Sequence, residues 1–197
     1  MNIHPLIQTR IASHLYTVTM LHEQEDLLER AHHMANTFLE AFKTGHKVLF
    51  CGNGGSAADA QHLAAELSGR YYFDRPPLFA EALHVNSSYL TAVANDYGYD
   101  EIYARMLRAM GSKGDILVAM STSGNSPNVL KAIEAAREQS MTVIGMTGME
   151  GGKMANLCDI LINIPSKDTP RIQECHMLIG HIVCEIVEKE LFANPKR

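Results

Sequence analysis

"DILVAMSTSGNSPNVLKAI", residues 115–133, passes from a short β-like run through a knot of hydroxyls into an amphipathic pattern. Ile116, Leu117 and Val118 suit a strand. From Pro127 onward Val129, Leu130, Ala132 and Ile133 recur at helical spacing. Between the two stand Ser121, Thr122, Ser123, Gly124, Asn125 and Ser126. Ser, Asn and Gly are the usual turn and N-cap residues, and a cap needs one hydroxyl or two. Four hydroxyls predict a pocket for something rich in acceptor oxygens.

The same strand-loop-helix unit repeats on either side. The β-like runs are KVLFC (47–51), LFAEALHV (78–85), DILVAM (115–120), TVIGM (142–146) and DILINI (159–164). Helical patterns separate them, among them SAADAQHLAAELSG, DEIYARMLRAM and SPNVLKAIEAAREQ, and a long last helix is expected from about Thr169 to Leu191. Alternation of this kind implies βαβ crossovers and a mostly parallel sheet with helices on both faces. Upstream, Ile7, Ile11, Leu15 and Val18 repeat at helical spacing, and after HEQED so do Leu27, Ala31, Met34, Phe38 and Phe42, until Gly45 ends the pattern. We expect one domain over residues 1–197, with residues 1–45 as added helices whose apolar stripes in part serve contact between subunits, although the sequence does not separate this from packing on the parent sheet.

Composition narrows the partners. An apolar content of 46% and a charged content of 20% belong to a globular protein. A net charge of −5 without Lys/Arg runs argues against nucleic acid as the main partner. No apolar run reaches the roughly 20 residues of a membrane span, and MNIHPLIQTR has no signal-peptide pattern, so a cytoplasmic protein is expected. Cys51, Cys158, Cys175 and Cys184 form no C-x-x-C pair and read as buried, reduced thiols.

In parallel sheets ligands bind beyond the carboxyl ends of the strands, where the loops GNGGS and STSGNS fall. CGNGGSAADA fits a relaxed dinucleotide fingerprint, but Glu81 is not clearly at the end of the second strand, where a ribose-binding acid belongs. Glycines and Asn53 that let backbone approach a polar ligand fit equally well. The STSGNS loop opens a helix, whose free N–H groups and dipole attract anions. Without a G-x-x-x-x-G-K-[ST] motif, the expected guest is a phosphate monoester rather than a nucleoside triphosphate. His62 and Glu66 are one turn apart on one helix face. Gln173 and His181 are separated by about 80° around the last helix and can share a broad face, whereas His176 lies about 140° from His181. Spacing does not show whether the two helices meet. Asn95 and Asp96 come after one helical stretch and precede another, where Asp96 or Asp100 can equally serve as a cap.

CGNGGSAADAQHLAAELSGR, AVANDYGYDEIYAR, STSGNSPNVLKAI, GMTGMEGGKMA and IPSKDTPRIQECHMLIGHIVCEIVE, in this order, resemble the phosphoheptose isomerases of the sugar-isomerase-domain superfamily over nearly the whole chain. The resemblance implies a flavodoxin-like α/β three-layer sandwich on a central five-stranded parallel sheet. It implies a homotetramer with sites at subunit contacts, and conversion of sedoheptulose 7-phosphate to D-glycero-D-manno-heptose 7-phosphate on the way to lipopolysaccharide heptose. By resemblance Asn53, Gly54 and Gly55 line the sugar site, Asn95 and Asp96 contact substrate, and Ser121, Thr122, Ser123 and Ser126 take the phosphate. His62, Glu66, Gln173 and His181 match zinc positions, Glu66 and Gln173 also touching substrate, with Glu66 and His181 as the proton-transfer pair. A second expectation from the same superfamily is a non-catalytic adaptor that binds the replication initiator DnaA; such adaptors lack parts of the acid/base set. A third, a sugar-phosphate sensor, is disfavoured because no DNA-binding segment is attached.

Overall fold

The chain opens with two helices, α1 (Pro5–His22) and α2 (Glu25–Lys43). The computed structural model describes residues 3–193, so the ends of the chain in the one-domain expectation lie outside the described residues. Pro5 stands in the first turn of α1, and the His4 imidazole accepts the N–H of Leu6 at 3.2 Å. The break at residues 23–24 falls at HEQED. Helix α2 buries Leu27, Met34, Phe38 and Leu39, each worth about 1.5–3 kcal/mol of transfer free energy. Helix α1 behaves differently. It buries only Thr17 and Leu21, and leaves Ile7, Ile11 and Leu15 more than half exposed.

From there strands and helices alternate: β1 (Val48–Gly52), α3 (Gly55–Ser68), β2 (Ala80–Ala82), α4 (Ser87–Tyr97), α5 (Ile102–Met110), β3 (Ile116–Met120), α6 (Pro127–Glu138), β4 (Thr142–Thr147), β5 (Ile160–Asn163) and α7 (Thr169–Phe192). The five strands form one parallel sheet in the order β2-β1-β3-β4-β5. Because side chains alternate along a strand, each strand feeds two cores. Val48, Phe50, Ile116 and Val118 point toward α2, α3 and α7, whereas Leu49, Cys51, Leu117 and Ala119 point toward α4, α5 and α6. This is the expected three-layer sandwich.

Two local expectations need correction. The run 78–85 yields a strand of only three residues, because β2 is the sheet edge and its last rung is the Leu83 N–H on the Phe50 carbonyl. Beyond it Asn86 caps α4, its side chain accepting the Tyr89 N–H at 3.0 Å. Asn95 and Asp96 lie inside the last turn of α4, and neither Asp96 nor Asp100 caps the next element, since Gly98 is the residue before the short 3-10 turn Tyr99–Glu101. All four cysteines are free, with Cys51, Cys175 and Cys184 buried and Cys158 half-buried. Burial pushes Cys51, Cys158 and Cys184 up to about 12 and Cys175 to about 11, which leaves them as unreactive thiols. No helix among the described residues is long and apolar enough to cross a membrane.

Candidate functional site

β1 and β3 are neighbours at the centre of the sheet, and the chain leaves them toward opposite edges. In this strand order the crevice between them is the switch point at which open α/β sheets bind ligands. Gly52 is in register with Met120, so the loops GNGGS and STSGNS start at the same level. The two loops expected to share a site do face each other.

In the first loop Gly54 adopts φ +57°, ψ −119°, a conformation open to glycine, and so turns the chain into α3. A Cβ on Gly55 would overlap the side-chain amide of Gln173, which brings α7 against the start of α3. Asn53 is held by a reciprocal amide pair with the buried Asn128, each amide donating to the other at 2.8 Å. The Tyr99 hydroxyl also donates to Asn53 Oδ1 at 3.3 Å, and the Tyr103 hydroxyl, which donates its proton to the Gly52 carbonyl at 2.5 Å, lies 3.3 Å from the same oxygen.

The second loop is a nest of hydroxyls. Ser121 is buried, with its Oγ 2.9 Å from Ser126 Oγ and 3.4 Å from Ser123 Oγ. Ser126 is the N-cap of α6, yet its side chain makes no bond to the helix N–H groups. A cap that does not cap leaves both the hydroxyl and the helix end for another acceptor. Gly124, at φ +65°, packs so closely on Gly151 that a Cβ would collide with its carbonyl, and Met154 N–H donates to the Gly124 carbonyl at 3.1 Å. The GMEGGKMA segment is thereby the back wall of the nest. A cavity of about 200 Å³ lies in front, lined among others by Asn53, Ser121, Ser123, Ser126 and Gln173. None of its lining side chains is Lys or Arg, so hydroxyl and backbone donors would carry an anion there.

Helices α3 and α7 do meet. His62 Nε2 is 3.2 Å from Glu66 Oε1 and 3.1 Å from His181 Nε2. Two ring nitrogens that face each other at this distance need either a shared proton or a common cation. One donor atom from each of His62, Glu66 and His181 lies within 4.8 Å of the others. Two imidazole nitrogens and one carboxylate oxygen are a donor set that zinc accepts. The residues therefore fit a divalent metal. Gln173, on the same helix as His181, lines the hydroxyl cavity and also a larger one of about 780 Å³ that His181 and Asp59 border. His176 turns away, as its angle predicts, and is buried against the Thr147 carbonyl at 3.0 Å.

Asn95 and Asp96 are not drawn into this cluster. Both are exposed, the Asn95 amide donates to Asp96 Oδ1 at 2.8 Å, and the link from their region to the site is Tyr99 on Asn53. Conversely, the structure adds Asn128, Tyr103 and Asp59, which the sequence does not single out. Asp59 Oδ2 is buried without a partner, and burial pushes its carboxyl up to about 6, against a smaller opposing pull from His62. Asp59, His62 and Glu66 are spaced i, i+3, i+7 on one helix face, a pattern that reading His62 and Glu66 alone overlooks. Asn128 carries no such signal, because its role is a pairing across the crevice.

Residues 12–148 match the SIS domain family. A phosphoheptose isomerase of Aneurinibacillus thermoaerophilus is 48% identical over 188 residues, 95% of each chain. One of Rhodospirillum rubrum is 59% identical over 157 residues, 80% of this chain and 84% of that one. The solved structure of a phosphoheptose isomerase from Neisseria gonorrhoeae superposes with a TM-score of 0.84 at 44% identity, covering 93% of this chain and 99% of the other.

Proposed function

The chain belongs to the SIS domain family and is a phosphosugar isomerase, and from that premise we propose that it converts sedoheptulose 7-phosphate to D-glycero-D-manno-heptose 7-phosphate for lipopolysaccharide heptose. The observation that supports this reading is that Gln173 lines both the cavity of the hydroxyl nest at the start of α6 and the larger cavity bordered by His181, which meets His62 and Glu66.

The phosphate is taken by Ser121, Thr122, Ser123 and Ser126 with the α6 N-terminus. Asn53, held by Asn128 and Tyr99, orients the sugar hydroxyls together with Gln173, the backbone of Gly54 and Gly55, and the Asn95–Asp96 pair. That puts the ketose end toward α3 and α7. Isomerisation removes a proton from C1, passes through an enediol and returns a proton to C2, while a hydroxyl proton moves between O1 and O2. Glu66 carries the carbon-bound proton, with its Oε1 3.2 Å from His62 Nε2. His181 carries the proton between oxygens, as an imidazole can near neutral pH. His62, Glu66, Gln173 and His181 would hold one zinc ion per subunit, which when bound supplies Lewis-acid stabilisation of the oxyanion.

The assembly proposed is a homotetramer in which α1 serves subunit contact. Its support is the exposed stripe of Ile7, Ile11 and Leu15 beside the 780 Å³ cavity, which Arg10, Ile11 and His14 of α1 border with His181. A cytoplasmic setting accords with four free thiols. Incubation of the purified protein with sedoheptulose 7-phosphate, with metal content measured on the same sample, tests the reading. Formation of the heptose aldose is expected; a protein that binds the sugar phosphate and never isomerises it refutes the reading and returns the chain to the adaptor or sensor class.

A further inference from the structure

Arg75 lies on the loop between α3 and β2, and Glu188 on α7, each side chain only 1% exposed. Arg75 Nε donates to Glu188 Oε1 at 3.1 Å. One terminal nitrogen donates to the carbonyls of Leu67 (2.8 Å), Gly69 (3.2 Å) and Pro76 (3.1 Å), and the other to the Glu66 carbonyl at 2.8 Å. A helix leaves its last four carbonyls without partners inside the helix. Helix α3 ends at Ser68, so Arg75 takes two of those orphans, one of them belonging to Glu66 itself. On the other side of the pair, Glu188 accepts the N–H groups of Tyr71 (2.9 Å), Tyr72 (2.7 Å) and Phe73 (3.4 Å).

This clamp is one of the close contacts between α3 and α7. Another is Gly180, where a Cβ would overlap the side chain of Leu63, the residue after His62. Glu188 stands about two turns beyond His181 on the same face of α7. The span between clamp and close approach is where His62, Glu66 and His181 converge. The clamp also sets Tyr71, whose N–H it holds and whose ring lies 5.8 Å from that of His181 between centroids. A buried ion pair is poor evidence of stabilisation, since a well-packed apolar pair does as well. What this pair supplies, and an apolar pair would not, is a relay of directed bonds, from Glu188 on α7 to Arg75 and from Arg75 to the last turn of α3.

We propose that Arg75 and Glu188 are positioning residues for the metal and proton-transfer cluster, fixing the relative setting of α3 and α7 on which the His62–Glu66–His181 geometry depends. The inference rests on the proposed role of that cluster in binding metal and moving protons. Its test compares the parent with Arg75→Lys, which keeps the charge and loses the fork, and the near-isosteric Glu188→Gln. On each folded protein three things are measured: zinc affinity by competition with a chromogenic chelator, kcat and KM with sedoheptulose 7-phosphate, and the His62–His181 separation in a crystal structure. Zinc affinity and kcat should fall by about 10–100-fold, as for other residues that orient metal ligands. KM should stay near the parent's, because the phosphate nest hangs from β3 and α6. The facing ring nitrogens should part by about 1 Å, a misplacement that costs catalysis about 100-fold. A lower melting temperature with zinc affinity, kcat per folded molecule and ring separation unchanged overturns the proposal. A parent that neither binds zinc nor turns over refutes the proposed function instead, and ring separation in the variants still decides the clamp. If Arg75→Lys does not fold, Glu188→Gln carries the same comparison; failure of both to fold assigns the pair to stability and overturns a positioning role.

Discussion

His176 is an imidazole that the proposed chemistry leaves aside, and it shows what a single buried residue does to the molecule. Its Nε2 sits 3.0 Å from the Thr147 carbonyl and so carries the proton, while Nδ1 is buried without a partner. Burial pushes its pKa down to about 4, the Thr147 carbonyl acting weakly the other way. In the unfolded chain the ring protonates near its ordinary value of about 6.5, but in the fold only near 4. Stability is therefore full above about pH 6.5 and is lost progressively as pH falls toward 4, by on the order of 3 kcal/mol. Chemical denaturation at pH 7.5 and pH 4.5 should show this loss in the parent, and a folded His176→Gln should lose less; an equal loss in both would remove His176 as its cause. The angle between His176 and His181 separates these two residues already in the sequence. Asp59 and Asn128 carry no such mark, since one needs a third member of a helix face to be counted and the other acts only through a partner 75 positions away.

At the scale of elements, the strand-to-helix junctions are the legible part. An excess of hydroxyls over what a cap requires points to the 121–126 loop, and a Ser126 side chain that bonds Ser121 instead of capping α6 gives that excess a physical meaning. Removing Ser123 and Ser126 together (both to Ala) should weaken sugar-phosphate binding by up to a few kcal/mol, at ~1.5–3 per hydrogen bond to a charged group. Calorimetric titration checks this, with a melting curve expected to move little; unchanged affinity would show that the nest is not the phosphate site. Less legible is where β2 stops. Apolar residues at 78–85 continue past the last rung because the chain turns at residues 83–84 toward α4 while β1 runs on to Gly52, and sequence period does not report that turn. The Gly124–Gly151 approach escapes for a related reason: two glycine-rich loops far apart in the chain reveal their contact only when folded.

For the whole molecule, five β-like runs alternating with helical patterns are sufficient for a mostly parallel sheet with helices on both faces, while the flavodoxin-like sandwich comes from the resemblance, and the order β2-β1-β3-β4-β5 and the meeting of α3 with α7 from the structure. The stripe on α1 reads as apolar and is found facing outward. A solvent-facing stripe beside an open cavity predicts contact between subunits, and the resemblance makes the proposed assembly a tetramer; light scattering at micromolar concentration should show it, with Ile11→Asp plus Leu15→Asp shifting it toward smaller species. A monomeric parent would contradict the assembly and any site shared between subunits.

The central claim is that Glu66 moves a proton on a bound sugar phosphate, and Glu66→Gln tests it most directly because the change keeps the shape and removes the base. Turnover of sedoheptulose 7-phosphate and calorimetric binding of the same sugar are measured on one folded preparation, beside the parent. Binding should remain close to the parent's while the rate falls by about 10²–10⁴-fold, the usual contribution of a general acid–base group. Full turnover in Glu66→Gln would contradict the account.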